Sequence, residues 1–261
     1  MNNFSKEVNA VVTVAMRDIA VSLKSPSRVG MALIWPVMML GMFGSQLSQN
    51  MGIHMGYDFN QFMLVGMLVF GLFFITMNGI ASLVEDRVTD FTQEILVSPV
   101  SRYSIILGKI IGSSFMSYVQ FFATIIVGLF IGARLSGSQI LLLLAISPLV
   151  NLAAGSLSVL CIGFIQKSAT ANVVLMMLGM GQMFLSGAMI PINHSTGFMA
   201  VLSRLLPMTY CVDLTRGLFY GGSSGTMTMY APAVNLLIIA AFTVVFFIAG
   251  TTAFVRAEKI R

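Results

Sequence analysis

The chain has 261 residues, 57% of them hydrophobic and only 9% charged, with a formal net charge of +5. A soluble domain carries about 25% charged residues, so this composition cannot supply a polar surface for a water-exposed core. The apolar runs are long and unbroken, which excludes a transmembrane barrel, whose strands alternate apolar and polar residues. The expected class is an all-α polytopic membrane protein. Cys161 and Cys211 give no disulfide framework, and no nucleic-acid partner is expected.

Residues 1–28 read as an amphipathic interfacial helix. Phe4, Val8, Val11, Val12, Ala15 and Ile19 share one face at helical spacing, and Lys6, Arg17 and Lys24 cluster opposite. Pro26 ends it. The first apolar run begins only near Val29 and lacks a small-residue cleavage site, so no cleavable signal peptide is expected. A single domain of six transmembrane helices is predicted over 29–255, with spans about 29–48, 61–83, 104–133, 139–165, 171–190 and 231–255. Each exceeds or matches the roughly 20 residues a bilayer requires. Lys109 sits near the start of the third span and is expected to snorkel to the interface. Residues 256–261 form a tail.

An even number of spans puts both termini on one side. Lys6, Arg17, Lys24, Arg28, Arg87, Arg102, Lys109, Lys167, Arg256, Lys259 and Arg261 fall on that side, against Arg134, Arg204 and Arg216 on the other. The positive-inside rule makes the first side cytoplasmic. The outer segment 191–230 is too apolar for a free loop and is broken by Pro207 and by Gly221-Gly222. It is predicted to form one or two short re-entrant helices, since lipid-facing irregular backbone is not tolerated. Within it Asp213 and Arg216 could pair across one turn.

Four of the nine acids of the chain lie between Glu85 and Arg102. Read as a helix over 84–98, this loop puts Val84, Val88, Phe91 and Ile95 in one stripe and Asp86, Asp90 and Glu94 on the opposite face. Ser82 and Glu85 have the form of a capping box at its start, and Ser98-Pro99 stops it and opens the next helix. Acids beside an anionic leaflet are unfavourable as an anchor. A docked partner bearing basic groups explains their sign.

The absences matter as much. No G-x-x-x-x-G-K-[ST] loop is present, because Gly108-Lys109 runs on into Ile110. No Cys/His cluster has metal-ligand spacing, and no acid lies within a predicted span, which argues against a proton-driven carrier. No catalytic residue, metal or cofactor is expected on this chain. Uncharged polar residues do occur at depth, among them Gln46, Thr76, Asn78, Gln120, Thr124, Asn151, Asn172 and Gln182. They serve either interhelical hydrogen bonds or a substrate path. Gly108-x-x-x-Gly112 and Gly128-x-x-x-Gly132 suit close helix packing. Methionines 176, 177, 180 and 183 suit lipid contact or a surface for apolar ligands.

The stretch "EDRVTDFTQEILVSPVSRYSIILGK" resembles the cytoplasmic loop of bacterial ABC transporter permeases of the type-2 exporter family, the group of daunorubicin, nodulation and polysaccharide exporters. The shared residues are Glu85, Arg87, Glu94 with Leu96, Ser98 to Arg102, and Leu107-Gly108-Lys109. Where the family often has Gly-Thr-x-Glu, this chain has Asp90-Phe91-Thr92-Gln93-Glu94. A second similar stretch is "PMTYCVDLTR", with Pro207, Met208, Tyr210 and Arg216. The resemblance implies a permease half-transporter that exports a hydrophobic or amphipathic substrate (drug, lipid or glycan). Glu85, Asp86, Arg87, Asp90, Glu94 and Arg102 would form the coupling element for a separate ABC ATP-binding subunit, which holds the ATP and Mg. It further implies a homodimer or paired permease in the bacterial cytoplasmic (inner) membrane. Thr76, Asn78 and Gln182 would lie on the substrate path, and Pro207, Tyr210, Asp213 and Arg216 would form the outer re-entrant motif. A secondary carrier or channel working without an ATPase is the alternative.

Overall fold

A computed structural model describes residues 3–44, 58–86, 100–192, 196–221 and 228–259. Every regular element among them is helical. α1 spans Asn3–Leu23 and α2 spans Pro26–Pro36. Directly after Pro36, which has no N–H to donate into a helical ladder, the helix continues in π form over Val37–Gly44. α3 (Phe59–Gly79) is capped by Asp58, whose carboxylate accepts the Asn60 N–H at 2.9 Å. After a turn comes the short α4 (Ser82–Asp86). α5 (Arg102–Phe130) starts from the cap Ser101. α6 (Gly137–Ile162) starts from a Ser136–Gln139 capping box, and α7 spans Ser168–Leu185. Two short helices, α8 (Phe198–Arg204) and α9 (Pro207–Phe219), precede α10 (Pro232–Lys259).

Five helical stretches are long and apolar enough to cross a bilayer: α3 with α4, α5, α6, α7 and α10. Their roles differ. In α3, 78% of the most apolar window is buried inside the protein, against 17% in α10. α3 is therefore the central column, packed by α5, α6, α7 and α9. α10 lies at the perimeter and leaves Leu236, Leu237, Val244 and Val245 exposed, which costs nothing against lipid tails as apolar as leucine.

α1 lies along the first half of α5, and two glycines make that approach possible. A Cβ at Gly108 would stand 2.7 Å from the Val11 carbonyl oxygen, and one at Gly112 would stand 2.6 Å from the Asp18 Cβ. The first of the two predicted small-residue pairs is thus the seat of α1. In the second, Gly128 packs closely on Leu64 of α3, while Gly132 adopts φ +90° in the turn that ends α5, with open space where a Cβ would stand. The expected apolar face of α1 is divided. Ala15 of that face is buried against α5 together with its neighbour Val14, while Phe4 (80% exposed), Val8 and Val12 point outward. Arg17, expected on the outer basic face, turns inward.

The next helix after the acidic loop begins at Arg102 with Ser101 as its cap, later than the Ser98-Pro99 start read from the sequence; Val100 and Ser101 are not helical. Ser82, read as an N-cap, is the first residue of α4, and its hydroxyl donates to the Gly79 carbonyl at 2.7 Å. Most of the predicted coupling helix 84–98, including Arg87, Asp90 and Glu94, lies outside the described residues, as does Gln46.

Candidate coupling and substrate site

Four charged side chains meet where α1, the end of α4 and the start of α5 converge. The Lys109 ammonium is 2% exposed and donates to Asp18 at 3.0 Å and to Asp86 at 2.7 Å. Arg17 bridges the other oxygen of Asp86 at 2.5 Å and stands 3.8 Å from Asp18. The formal charges cancel, which is what permits them to be buried. Burial raises the Asp18 carboxyl above its ordinary range, opposed by the neighbouring Lys109 and Arg17 charges. Lys109 therefore does not snorkel outward, and Asp86, expected to face a partner, is occupied within the chain.

Two more contacts fasten the surroundings of the loop. Both carboxylate oxygens of Glu7 accept the Ser101 N–H, at 3.0 and 3.1 Å. Glu85 accepts the Ser168 hydroxyl at 2.8 Å, reaching the first residue of α7. Arg102 opens α5 and is partly exposed.

Beside the cluster lies a cavity of about 500 Å³. α1 and α4 border it, and four further helices line it with regular stripes: Arg28, Met31 and Trp35 of α2; Phe74 and Asn78 of α3; Lys109, Ser113, Met116 and Gln120 of α5; and Asn172, Met176 and Met180 of α7. Spacings of three, four and seven keep each stripe on one helix face. At 1.5 Å per residue, Lys109 to Gln120 spans about 16 Å of depth. The charged cluster borders one end of this slot, and the interior is methionine and aromatic.

Of the three predicted path residues, only Asn78 lines the cavity, and its amide also donates to the Phe74 carbonyl at 2.8 Å. Thr76 is buried and donates to Asn151 at 3.0 Å, as does Ser117 at 3.1 Å. Gln182 is buried with its amide 3.9 Å from the Met77 sulfur. Sequence reasoning passed over Asp18, Glu7 and Arg28. Asp18 and Glu7 are the only acids among the first 57 residues, a signal that was available.

The outer motif is a structural corner. Pro207 opens α9, which is buried over nearly its whole length. The Tyr210 hydroxyl donates to the Arg204 carbonyl at 2.7 Å, closing the α8–α9 turn, and its ring stacks on Tyr230. Asp213 and Arg216 take different partners. Asp213 accepts the N–H groups of Met229 and Tyr230 and the Asn235 amide, at 2.7, 3.0 and 2.7 Å. Arg216 donates to the carbonyls of Gly187 and Ala188 and lies 3.6 Å over the Phe62 ring. Gly66 leaves room for that guanidinium, since a Cβ there would be 2.9 Å from Nη2. No group of three or more candidate metal ligands occurs among the described residues.

A bundle of long apolar helices, with a neutralised ion cluster and an amphipathic slot beside it, defines a multi-pass membrane protein. The ABC-2 type transporter model matches residues 9–220, most of the chain, and the chain belongs to that family. It is 26% identical over 191 residues to a protein of Cyanophora paradoxa provisionally named transport permease ycf38, covering 72% of this chain and 66% of that one. The protein of the same name from Porphyra purpurea is 25% identical, over 72% of this chain and 64% of the relative. The chain thus spans just under two thirds of the length of these two relatives. Members of the family are normally transport subunits without a catalytic site of their own.

Proposed function

We propose that this chain is the membrane subunit of an ATP-driven exporter whose ATP is hydrolysed by a separate ABC subunit docked on the loop that follows Asp86. One observation carries the reading. The residues on both sides of that loop are fastened to helices that line the cavity: Asp86 to Lys109 of α5 and Arg17 of α1, Glu85 to Ser168 of α7, and Ser101 to Glu7 of α1. A displacement of the loop by a partner would therefore be passed to the walls of the slot. The helical stretch Pro26–Gly44, 11 residues followed by 8, serves as the sixth span, so both termini face the cytoplasm with eleven of the 14 basic residues. α8 and α9 form the outer re-entrant segment. Two such chains pair with two ATPase subunits in a bacterial cytoplasmic membrane. A hydrophobic or amphipathic substrate enters through the slot, with Asn78 on its path.

The test separates the acids that follow Asp86 in the loop from Asp86 itself, which is engaged within the bundle. Asp90→Lys with Glu94→Lys is expected to reduce co-purification of the ATPase subunit at least tenfold while leaving the helical content of the membrane domain unchanged. Asp86→Lys is expected to disturb the membrane domain itself. Full retention of the ATPase and of ATP-dependent export by the Asp90/Glu94 variant would sink the docking role. Transport that an ion gradient drives in vesicles without any ATPase would favour an independent carrier.

A further inference from the structure

We infer that the slot between α2, α3, α5 and α7 binds one amphiphile that carries an anionic head and a hydrogen-bonding group partway along its chain. The head is assigned to Arg28. Arg17 and Lys109 are already neutralised by Asp18 and Asp86, and Glu85 is turned to Ser168. Arg28 lines the same cavity, is exposed, and makes no ion pair with any described residue. Among the described residues it is the uncompensated cation of the slot.

The second group is assigned to Gln120, about 16 Å beyond Lys109 along α5. Gln120 is 3% exposed and lines the cavity, yet its side-chain amide makes no hydrogen bond with any described residue. Its carboxamide is held against α3 at Gly71, where any side chain would strike the amide nitrogen. Buried amides are almost always partnered, so this one is placed to receive a donor or acceptor from a guest. Between the two points Met31, Met116, Met176 and Met180 offer flexible thioethers to an apolar body. This inference deepens the exporter reading by naming a ligand class, but binding needs no ATPase, so either can fail alone.

Trp35 lines the slot and is the one tryptophan of the chain, which gives a direct reporter. The full chain is placed in nanodiscs of neutral phosphatidylcholine and titrated with dibromostearate or with a brominated alkyl-trimethylammonium. Saturable quenching by the anion only is expected, and Arg28→Glu should raise its half-saturation concentration at least tenfold. In competition, 12-hydroxystearate should displace dibromostearate about 5- to 10-fold better than stearate, the value of one hydrogen bond to a buried group. Gln120→Met should make the two competitors equal.

A further arm identifies the source. If discs with brominated phosphatidylglycerol quench Trp35 more than discs with brominated phosphatidylcholine, and stearate does not relieve it, the occupant is a lipid of the bilayer. If single-chain acids relieve it, the site takes a diffusible cargo of the same chemistry. Linear quenching, equal for both head charges and unchanged by Arg28→Glu, would overturn the site. Equal competition by stearate and 12-hydroxystearate in the unsubstituted protein would overturn the second contact and leave Gln120 to water.

Discussion

Lys109 offers the sharpest test of how the charged cluster is held. Replacing it by methionine keeps the volume of the stem and removes the ammonium that two carboxylates share at 3.0 and 2.7 Å. Asp18 and Asp86 then lose the cation they share, and their side chains are just 8% and 22% exposed. Removing one partner of a buried pair costs about 3–5 kcal/mol, chiefly because the survivor stays charged and poorly solvated. Arg17 is 29% exposed, so water already screens it, and Arg17→Met should cost about 1 kcal/mol or less. Adding Asp18→Asn to Lys109→Met removes the stranded charge and should restore about 2 kcal/mol, within the coupling found for contacting residues. Unfolding in mixed detergent micelles, followed by circular dichroism, measures all four proteins. If Lys109→Met and Arg17→Met cost the same within about 0.5 kcal/mol, burial is not what gives the cluster its strength, and the reasoning fails.

Arg216→Lys should destabilise by about 3 kcal/mol in the same unfolding assay, because a point charge cannot reproduce two carbonyl bonds and the stacking on Phe62. Gly112→Leu should lift α1 from α5 and speed hydrogen exchange of α1 amides, whereas Gly30→Ala, with open space around it, should be neutral or slightly stabilising. The raised Asp18 carboxyl means that the folded chain holds this proton more tightly than the unfolded chain does. Its contribution to stability is therefore greatest below pH 3.8 and is lost as pH rises through the raised folded value. Asp18→Asn should accordingly flatten the fall in stability with rising pH just above pH 3.8, read as detergent unfolding midpoints against pH.

The helical class and the long apolar helices were legible because charge is excluded from lipid-facing segments, and that leaves a one-dimensional trace in the sequence. The seat of α1 was half legible. Gly108 and Gly112 announced a close approach, but spacing on one helix cannot say which other helix arrives. The ion cluster was not legible for the same reason: Lys109 and Asp18 are 91 positions apart. A lysine at the mouth of a span reads equally well as snorkelling or as buried. Asp213 and Arg216 show the opposite error. Their spacing of three favours a local pair, yet the buried backbone groups of 187–188 and 229–230 compete for them and win, since an unpaired main-chain group in an apolar setting is costly. Thr76 and Gln182 likewise stand away from the cavity, because depth alone does not distinguish a helix seam from a cavity wall.

Glu7 and Arg17 sit ten residues apart on one rigid helix, about 15 Å. One grips the backbone at Ser101, and the other grips Asp86. α1 is thus a ruler laid across the mouth of the acidic loop, fixing the gap between its ends independently of what the loop contains. The width of that mouth is thus encoded 69 and 94 positions upstream, in α1.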